Sequence, residues 1–538
     1  MRVDLIRTYK VLHTWTGVLA GMLLFIAFYA GGLTLFKEPL ARWASPPSIG
    51  AAAVPLADAP ALINRALAAH PAAGKDFQLH LKPAEDVPSR LTWREGGDDH
   101  DAASGRQYVA TLDADGVRID QARPHQLAAF IDTLHRVVGL PFDNDPSRWF
   151  MGVAATLYAL ALVSGVILLV PTFVKNFFAL RTDKGPKRLW LDAHSVVGLA
   201  SLPFHIVIAT TAVVFAFHDE IYDLQNKLIH RGRLSSAWAP PQAPPKPAAP
   251  RQPSAMLPPE ELLAKVKALS PTFEPTRLQY KQVFTPKAVV QVWGHDPKAL
   301  SPRPVGGFVA LNPYGGEVLR TDFLPGRQDG PNTTIASFFA LHFGTYGGAP
   351  AKWLYFVLAM GGAWLFYSGN LLWLESRRKI PGKDQTPPAR RRDTRALAAA
   401  TVGVCLGCIC GLSLTIAASK GLHSLAPQLS GGPRAIYYSV FFASLAWAFL
   451  RGAARASVDL LWVAAAFTLL IPVTTLLAWL FPALGLWAHA SAPALGVDLT
   501  ALAGSLCFAW MARVTSKRVQ SGPADSIWSK HSGLPNAI

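Results

Sequence analysis

The sequence predicts an integral membrane protein, mainly α-helical, with about eight transmembrane helices and two α+β modules outside the membrane, inserted in a duplicated two-span unit. Three observations predict this class. Hydrophobic residues make up 51% of the 538 positions and charged residues only 16%, whereas an ordinary soluble domain carries about 25% charged residues. Long apolar stretches recur along the chain, and two polar segments between them carry helix and strand patterns. The four cysteines exclude a disulfide scaffold.

Eight apolar stretches approach or reach the roughly 20 residues needed to cross a bilayer. The sixth is short, and the fifth and eighth are rich in small residues. The first resembles a signal peptide in its charged start, but its apolar run exceeds the about 7–15 residues of a signal sequence, so we expect a retained anchor. The predicted spans are 11–36, 148–173, 193–217, 351–374, 396–417, 435–450, 459–481 and 495–514.

The net charge of +17 comes from basic residues that flank the spans on alternating sides. All of them lie on one face if the N-terminus is cytoplasmic, as the positive-inside rule requires. We therefore expect a multi-pass protein of the bacterial inner membrane that contacts anionic lipid headgroups, and not a nucleic-acid-binding protein. The flanking residues are Arg2, Arg7, Lys10, Lys175, Arg181, Lys184, Lys187, Arg188, Arg377, Arg378, Lys379, Lys383, Arg390, Arg391, Arg392, Arg395, Arg451, Arg455, Arg513, Lys517 and Arg518.

An internal repeat follows from the two long connections, 37–147 and 218–350, which this topology places in the periplasm. Each carries an amphipathic helix and then short alternating strands, and the stretch at 108–116 resembles that at 308–316. We expect helices at 59–70 and 259–269, and strands at 77–81, 90–93, 108–112, 117–119, 276–280, 288–293, 307–311 and 317–319. A Pro-rich run at 238–253 precedes the second module. The remaining parts are a basic linker at 375–395, a four-span unit at 396–514 and a cytoplasmic tail at 515–538.

Four histidines repeat with the spans. His13 and His194 lie at the cytoplasmic ends of the first and third spans, and His135 and His342 lie at the opposite face, shortly before the second and fourth. Two helices that each offer an imidazole at matching depth can clamp a haem iron. Three of these histidines are followed after four residues by a glycine that would let a flat macrocycle approach the helix: Gly17, Gly139 and Gly198.

Other interpretations of the histidines stay open. Each could be an interfacial side chain bonded to backbone or water, whereas zinc is disfavoured because no carboxylate or cysteine falls at matching spacing. His205 lies 11 residues after His194, on nearly the same face of a straight helix. It could bind an outer haem, lie between two haems, or be a buried hydrogen-bonded histidine. The candidate partners for haem propionates, or else snorkelling side chains, are Lys10, Arg136 and Arg188.

The cysteines Cys405, Cys408 and Cys410 in the fifth span and Cys507 in the eighth could bind metal or carry electrons. The competing interpretation, which we favour, is tight helix packing, since the fifth span also carries the small-residue series Gly403, Gly407 and Gly411. The sequence has no recognisable nucleotide, flavin or covalent-haem motif. Any haem would therefore be of b type, and electrons would come from another molecule.

Taken in order, these motifs resemble the PepSY-associated transmembrane family of bacterial inner-membrane proteins over about residues 1–380. The resemblance rests on the His13–Gly17 opening, Leu134-His135-Arg136 before Arg148-Trp149, the segment Leu202-Pro203-Phe204-His205, and the His342 helix with Arg377-Arg378 after its span. The two outer modules resemble PepSY domains. Residues 396–514 lie outside the family core.

Members of this family include ferric-siderophore reductases that carry b-type haem. The resemblance implies a haem-containing electron-transfer protein, with two haem b groups, that reduces a periplasmic Fe(III)-siderophore to release Fe(II) for iron uptake. It implies that His13, His135, His194 and His342 bind the haem iron, with His205 as a further cofactor-binding residue. The electron donor would be a quinol or a cytoplasmic reductase. Four aromatic residues could stack on an aromatic chelator or belong to the module cores: Trp93, Trp238, Trp293 and Tyr346.

Two rival functions remain at this point. PepSY modules have been linked to restraint of proteases, so the chain could be a non-redox, membrane-tethered binding or protease-regulating protein. A transporter is disfavoured because Asp459 and Asp498, the acidic residues of the last four spans, lie near span ends.

Overall fold

The computed structural model describes residues 3–47, 54–82, 89–96, 105–113, 116–122, 126–172, 180–181, 186–233, 251–300, 302–377, 391–425, 432–522 and 526–529. The first half of the chain contains α1 (Val3–Thr34), α2 (Lys37–Ala44), α3 (Ala59–Ala69), β1 (Asp76–His80), β2 (Leu91–Glu95), β3 (Arg106–Asp113), β4 (Gly116–Ala122), α4 (Leu127–Arg136), α5 (Asp145–Leu169), α6 (Pro186–Ala200), α7 (Leu202–Ala216) and α8 (His218–Leu228).

The second half continues with α9 (Pro259–Leu269), β5 (Glu274–Lys281), β6 (Val289–His295), β7 (Gly307–Leu311), β8 (Val318–Arg320), α10 (Gly330–Phe343), α11 (Gly348–Ser376), α12 (Arg392–Leu425), α13 (Gly432–Arg451), α14 (Ala453–Leu480) and α15 (Ala492–Ser521). The chain divides into two compact units. The helical unit comprises 1–44, 125–216 and 354–538, and the sheet unit comprises 45–124 and 217–353.

The helical unit is built from apolar helices around one buried cluster, to which α1, α4, α5, α7 and α11–α15 all contribute. Within the part of the chain that the structure describes, six helices are long and apolar enough to cross a membrane: α1, α5, α11, α12, α14 and α15. A seventh span is possible if α6 and α7, which are bent by 67° at their junction, count as one. The predicted sixth span forms α13, but this helix is not among the candidate spans.

The helices begin where the sequence provides caps. The side chain of Asn144 accepts a hydrogen bond from the Ser147 N–H at 3.0 Å ahead of α5, and Asp329 accepts one from the Asn332 N–H at 2.9 Å ahead of α10. Both helices also have a proline in their first positions. A capping oxygen satisfies an N–H group that lacks an intrahelical partner, and proline there loses no bond.

The sheet unit contains one eight-stranded antiparallel sheet in the order β4-β3-β2-β1-β5-β6-β7-β8. Residues of α3 and α9 belong to the same buried cluster as alternate residues of the strands. The strands and helices fall within one to three residues of the predicted positions, because the alternation of apolar and polar residues specifies each one locally.

The strands of the two predicted modules join in one sheet through the pairing of β1 with β5. Phe77 of the first repeat lies opposite Tyr280 of the second, and their rings stack with centroids 4.8 Å apart. Each repeat alone would leave a strand edge with unpaired backbone groups, and pairing the two edges removes both. Residues 238–250 of the Pro-rich run and 378–390 of the basic linker lie outside the described residues.

Candidate functional site

Four predicted site histidines lie in the helical unit, on α1, α4, α6 and α7, and each places Nδ1 against an oxygen of a neighbouring helix. The Nδ1 atom of His13 is 2.8 Å from the Ala161 carbonyl oxygen, and that of His135 is 2.8 Å from the Ala27 carbonyl oxygen. A carbonyl can only accept, so Nδ1 carries the hydrogen in both residues. The lone pair is therefore on Nε2, the arrangement in which histidine usually binds a metal.

The other two histidines place Nδ1 against hydroxyl groups. The Ser368 hydroxyl lies 3.0 Å from His194 Nδ1 and 3.2 Å from the Leu365 carbonyl oxygen. The Tyr158 hydroxyl lies 2.5 Å from His205 Nδ1 and 3.2 Å from the His205 carbonyl oxygen. A hydroxyl group can donate or accept, so either ring nitrogen of His194 and His205 can carry the hydrogen.

His205 provides a test of whether the site fits a metal group. Its side chain is 3% exposed, and Nε2 is buried without a hydrogen-bond partner among the described residues. A buried polar atom that lacks a partner is costly and calls for an explanation. The aromatic rings of Phe28 and Phe204 lie 5.7 and 5.4 Å from its ring. With the hydrogen on Nδ1, an iron ion would satisfy this nitrogen, so this tautomer of the residue fits the group.

The neutral form that ligation requires is favoured at His135, which lies on the short helix α4 rather than in a candidate span. Burial lowers the pKa of His135, and the hydrogen bond to the Ala27 carbonyl only partly opposes this effect. Desolvation disfavours the charged imidazolium. His135 is therefore neutral at pH 7 and can offer its Nε2 lone pair.

Glycines of neighbouring helices lie directly against the imidazole rings. A Cβ atom built on Gly31 would lie 2.7 Å from His135 Nδ1, and one on Gly165 would lie 3.0 Å from His13 Cε1. The corresponding distances are 3.1 Å from Gly362 to His205 Cε1 and 3.5 Å from Gly369 to His194 Cε1. These glycines make room for the rings. Sequence spacing missed them because each lies on a different helix from its histidine.

The glycines predicted to admit a macrocycle differ from one another in the structure. A Cβ on Gly17 would meet nothing within 4 Å, and one on Gly198 would only touch Leu365 at 4.0 Å. Gly139 packs instead against Ile26, at 2.9 Å, and has a φ of +86°. Its role is to end the helix that carries His135, so the prediction is wrong for Gly139.

The third predicted span is bent by 67° between α6 and α7, so His194 and His205 lie on separate helices. The periodicity argument that related these two residues on one straight helix therefore does not apply.

His342 lies elsewhere, on α10 of the sheet unit, with the Phe343 ring 5.3 Å from its imidazole. Gly344 follows in the left-handed conformation, with φ +62°, and ends the helix. The pairing of His135 with His342 stays a prediction. Among the described residues, no group of three or more His, Cys, Asp or Glu side chains could hold a metal ion.

The arginines predicted to bind propionates have carboxylate partners. Arg136 pairs with Asp143 at 2.5 Å and Arg188 pairs with Asp192 at 3.0 Å. Arg181 also binds Asp192, at 2.9 Å. These ion pairs account for both arginines without an added group.

The cysteine-bearing span packs as the small-residue series predicted. A Cβ on Gly403 would lie 2.8 Å from the Leu445 backbone, and one on Gly411 would lie 2.9 Å from the Tyr437 ring. Helices α12 and α13 therefore approach closely along this face. Cys405, Cys408 and Cys410 are buried in the same region, whereas Cys507 is exposed on α15.

The sheet unit has a polar face on the side of the strands away from α3 and α9. The amide nitrogen of Gln279 donates to both carboxylate oxygens of Asp76 at 2.9 Å, and its oxygen accepts from Trp293 Nε1 at 3.1 Å. The Arg277 guanidinium lies 4.9 Å from the Trp293 ring centroid. Trp93, in contrast, is a core residue with 3% exposure, and Trp238 lies outside the described residues.

These features define a multi-pass membrane protein with an inserted antiparallel sheet and a set of histidines that place Nδ1 against oxygens of neighbouring helices. The chain belongs to the family described as the PepSY-associated TM region, whose model matches residues 11–376. The matched range contains all five predicted site histidines and ends before α12 begins. No curated protein matches the sequence.

Proposed function

We propose that this protein is a haem b-containing electron-transfer protein of the bacterial inner membrane, and that it reduces a periplasmic Fe(III)-siderophore so that Fe(II) is released for uptake. The observation that carries the proposal is the shared orientation of His13, His135, His194 and His205. All four place Nδ1 against an oxygen of a neighbouring helix. His13 and His135, which face carbonyl oxygens, carry the lone pair on Nε2, the nitrogen through which histidine usually binds a metal.

The proposed ligands follow from the positions of these residues. His13 and His194 would hold an inner haem. His135 and His342 would hold an outer haem, with His205 as a further cofactor-binding residue. A bound haem supplies one-electron transfer by cycling its iron between the ferric and ferrous states. The oxygens of Ala161, Ala27, Ser368 and Tyr158 would hold each ring in its orientation, and the two carbonyl oxygens would raise the basicity of Nε2 in His13 and His135.

The proposed route begins at a quinol in the bilayer or a reductase in the cytoplasm and ends at the iron chelate. One electron reduces Fe(III) to Fe(II), and the lower charge weakens binding by the hard oxygen ligands of the siderophore. The aromatic rings around His205 exclude water from the middle of the route. Phe28 contacts Tyr158, Phe204 and Phe366, with ring centroids 5.5, 6.3 and 5.0 Å away.

The polar face of the sheet unit would bind the ferric chelate. The Arg277 guanidinium lies over the ring of the half-buried Trp293, and a cation held in this way suits an anionic chelator. Gln279 is fixed between Asp76 and Trp293, so the indole beneath the guanidinium is held in place before a ligand arrives.

The test is a reduced-minus-oxidised visible spectrum of the purified protein, with His13→Ala and His342→Ala beside it. We expect low-spin b-haem bands that each substitution weakens in part, because each removes a ligand from a different haem. His295→Ala, an exposed histidine of the sheet unit, is the control and should leave the bands unchanged. A colourless, folded, haem-supplemented protein would contradict the proposal and favour a membrane-tethered binding or protease-regulating protein.

A further inference from the structure

Two charged side chains lie inside the helical unit, beyond the region that the family model covers. Lys420 of α12 has 0% exposure and Asp498 of α15 has 9%. Lys420 is near the C-terminal end of its helix, and Asp498 is near the N-terminal end of its own. Ionisable residues inside membrane spans are costly, and they commonly serve ion or proton movement.

A threonine hydroxyl connects these two residues. The Lys420 Nζ donates to Thr475 Oγ1 at 2.9 Å, and Thr475 Oγ1 donates to Asp498 Oδ1 at 3.1 Å. Thr475, on α14, is 4% exposed. An ammonium, a hydroxyl and a carboxylate thus form one continuous chain of hydrogen bonds between three helices.

Trp43 of α2 closes the cluster. Its ring centroid lies 3.9 Å from Lys420 Nζ, and its Nε1 donates to Asp498 Oδ1 at 2.9 Å. The Trp43 carbonyl accepts from Trp487 Nε1 at 3.2 Å. The indole therefore contacts both charged groups, the ammonium through its ring face and the carboxylate through its N–H.

Among the described residues, few other charged side chains of α2, α12, α14 and α15 belong to the ends of these helices that carry Lys420 and Asp498. Lys420 and Asp498 interact electrostatically with each other. On α2, Lys37 pairs with Asp132 at 3.2 Å. The other charged residues of this helix are Glu38 and Arg42, which are close to Trp43 in sequence. His489 precedes α15 and is 5% exposed. The charged residues at the opposite ends of the helices are Arg392, Asp393, Arg395, Arg455, Asp459, Arg513, Lys517 and Arg518.

We propose that Lys420, Thr475 and Asp498 form a proton-binding relay in the C-terminal four-helix unit. The Lys420 ammonium gives a proton to Thr475 Oγ1 while the Thr475 hydroxyl proton passes to Asp498 Oδ1. The neutral amine then takes a proton from water, so that one proton is taken up and stored on the carboxyl group. Release follows the same steps in reverse.

The physical reason is the cost of a buried carboxylate. A charged carboxylate is expensive in a low-dielectric interior, and protonation removes its charge. The Trp43 N–H and the Thr475 hydroxyl oppose this step by stabilising the charged carboxylate. Protonation of Asp498 should therefore respond to the loss of either donor. This inference is independent of haem.

Infrared difference spectra recorded between about pH 4 and 10 test the relay in the full-length protein. We expect a protonated-carboxyl band that Asp498→Asn abolishes. Thr475→Val, which keeps the side-chain shape, should move the pH midpoint of this band upward by about one unit or more, because the carboxylate loses a donor.

Thr468→Val is the matched control. Thr468 lies two turns earlier on the same helix, is 7% exposed, and bonds Ser413 of α12 at 2.8 Å. Its substitution should leave the midpoint unchanged. Identical spectra from the native protein and Asp498→Asn would show that Asp498 keeps one charge state, and an equal shift in both threonine variants would exclude Thr475 as the relay. If Asp498→Asn does not fold, the two threonine variants decide the question alone.

Discussion

At the scale of single residues, each imidazole is oriented by one oxygen of a neighbouring helix. Ser368→Ala removes the hydroxyl that contacts His194 and leaves a half-buried Nδ1 atom without this partner. We expect a loss of about 1–3 kcal/mol in the free energy of unfolding, which is the usual cost of leaving a buried polar group unpaired. Thermal unfolding of the purified protein measures this change.

Ser376→Ala is the control for that measurement. Ser376 lies on the same helix and donates to the Trp373 carbonyl at 2.6 Å, the same type of local bond that Ser368 makes to Leu365. It is exposed and has no histidine partner in this contact. Its substitution should change stability by less than about 0.5 kcal/mol. Equal losses in the two variants would mean that the contact with His194 contributes nothing.

A substitution at Gly17 tests whether a haem lies beside α1 without disturbing the protein fold. A Cβ atom at this position would meet no protein atom within 4 Å, so Gly17→Ala should fold normally and even stabilise α1 slightly. If a haem held by His13 lies against this turn of the helix, the added methyl group collides with it. We expect weakened haem bands in Gly17→Ala without a loss of thermal stability.

Gly496→Ala provides the comparison, since Gly496 also has open space around it but lies on α15, outside the predicted haem region. Its spectrum should equal that of the native protein. Unchanged bands in both variants would place the haem away from Gly17.

The identity of the histidines could be predicted from the sequence, whereas their partners could not. Repetition of the His-bearing motifs singled out His13, His135, His194 and His342 along the chain. The oxygens that orient the rings lie far away in sequence, as with Ala161, which is 148 residues from His13. No local pattern encodes such a contact, because it depends on how whole helices pack.

At the scale of elements, the bend between α6 and α7 divides a segment that the sequence predicted as one straight span. Pro203 lies at the second position of α7 and cannot donate the backbone hydrogen bond that would continue α6. The sequence contained this signal within the segment Leu202-Pro203-Phe204-His205, but the apolar run around it favoured one straight span. The bend places His194 and His205 on separate helices.

The joined sheet makes the two repeats one cooperative element. Phe77 is 1% exposed and stacks on Tyr280 across the junction of β1 and β5. Phe77→Ala should cost about 3–5 kcal/mol, and backbone amides of both repeats should lose protection together. Hydrogen exchange of the full-length protein, followed separately in β2–β3 and β6–β7, measures this coupling.

Val117→Ala on the edge strand β4 is the matched comparison, because this half-buried residue lies far from the junction in strand order. The loss of amide protection that Val117→Ala causes should stay within β3 and β4. If Phe77→Ala lowers the protection of backbone amides only in the first repeat, the two repeats unfold independently despite the shared sheet.

The positions of the strands were predictable, but their joining was not. Alternation within five to eight residues specifies a strand and its buried face, as for the exact agreement at 307–311. Pairing of Asp76 with Lys281 joins residues more than 200 positions apart. Which two edges meet is decided by the need to pair exposed backbone groups, and this need has no local signature.

At the scale of the whole helical unit, the family region and the C-terminal helices share a single hydrophobic core. Helix α12 packs against α1, and the Tyr438 hydroxyl of α13 donates to the Gly139 carbonyl at 2.9 Å, next to the helix that carries His135. The C-terminal helices therefore support the ends of the elements that bear the site. The sequence placed residues 396–514 outside the family core but gave no indication of this packing.

The direction of the chain across the membrane is the remaining prediction at this scale. Basic residues flank the spans on the side of the N-terminus, so a reporter fused after Arg377 should lie in the cytoplasm and one fused after Arg233 in the periplasm. Green fluorescent protein should fluoresce only in the first fusion, and alkaline phosphatase should be active only in the second. The opposite pattern would place the residues of the sheet unit in the cytoplasm, where they could not meet a periplasmic ferric chelate, and the proposed substrate would then have to be abandoned even if the haem bands were present.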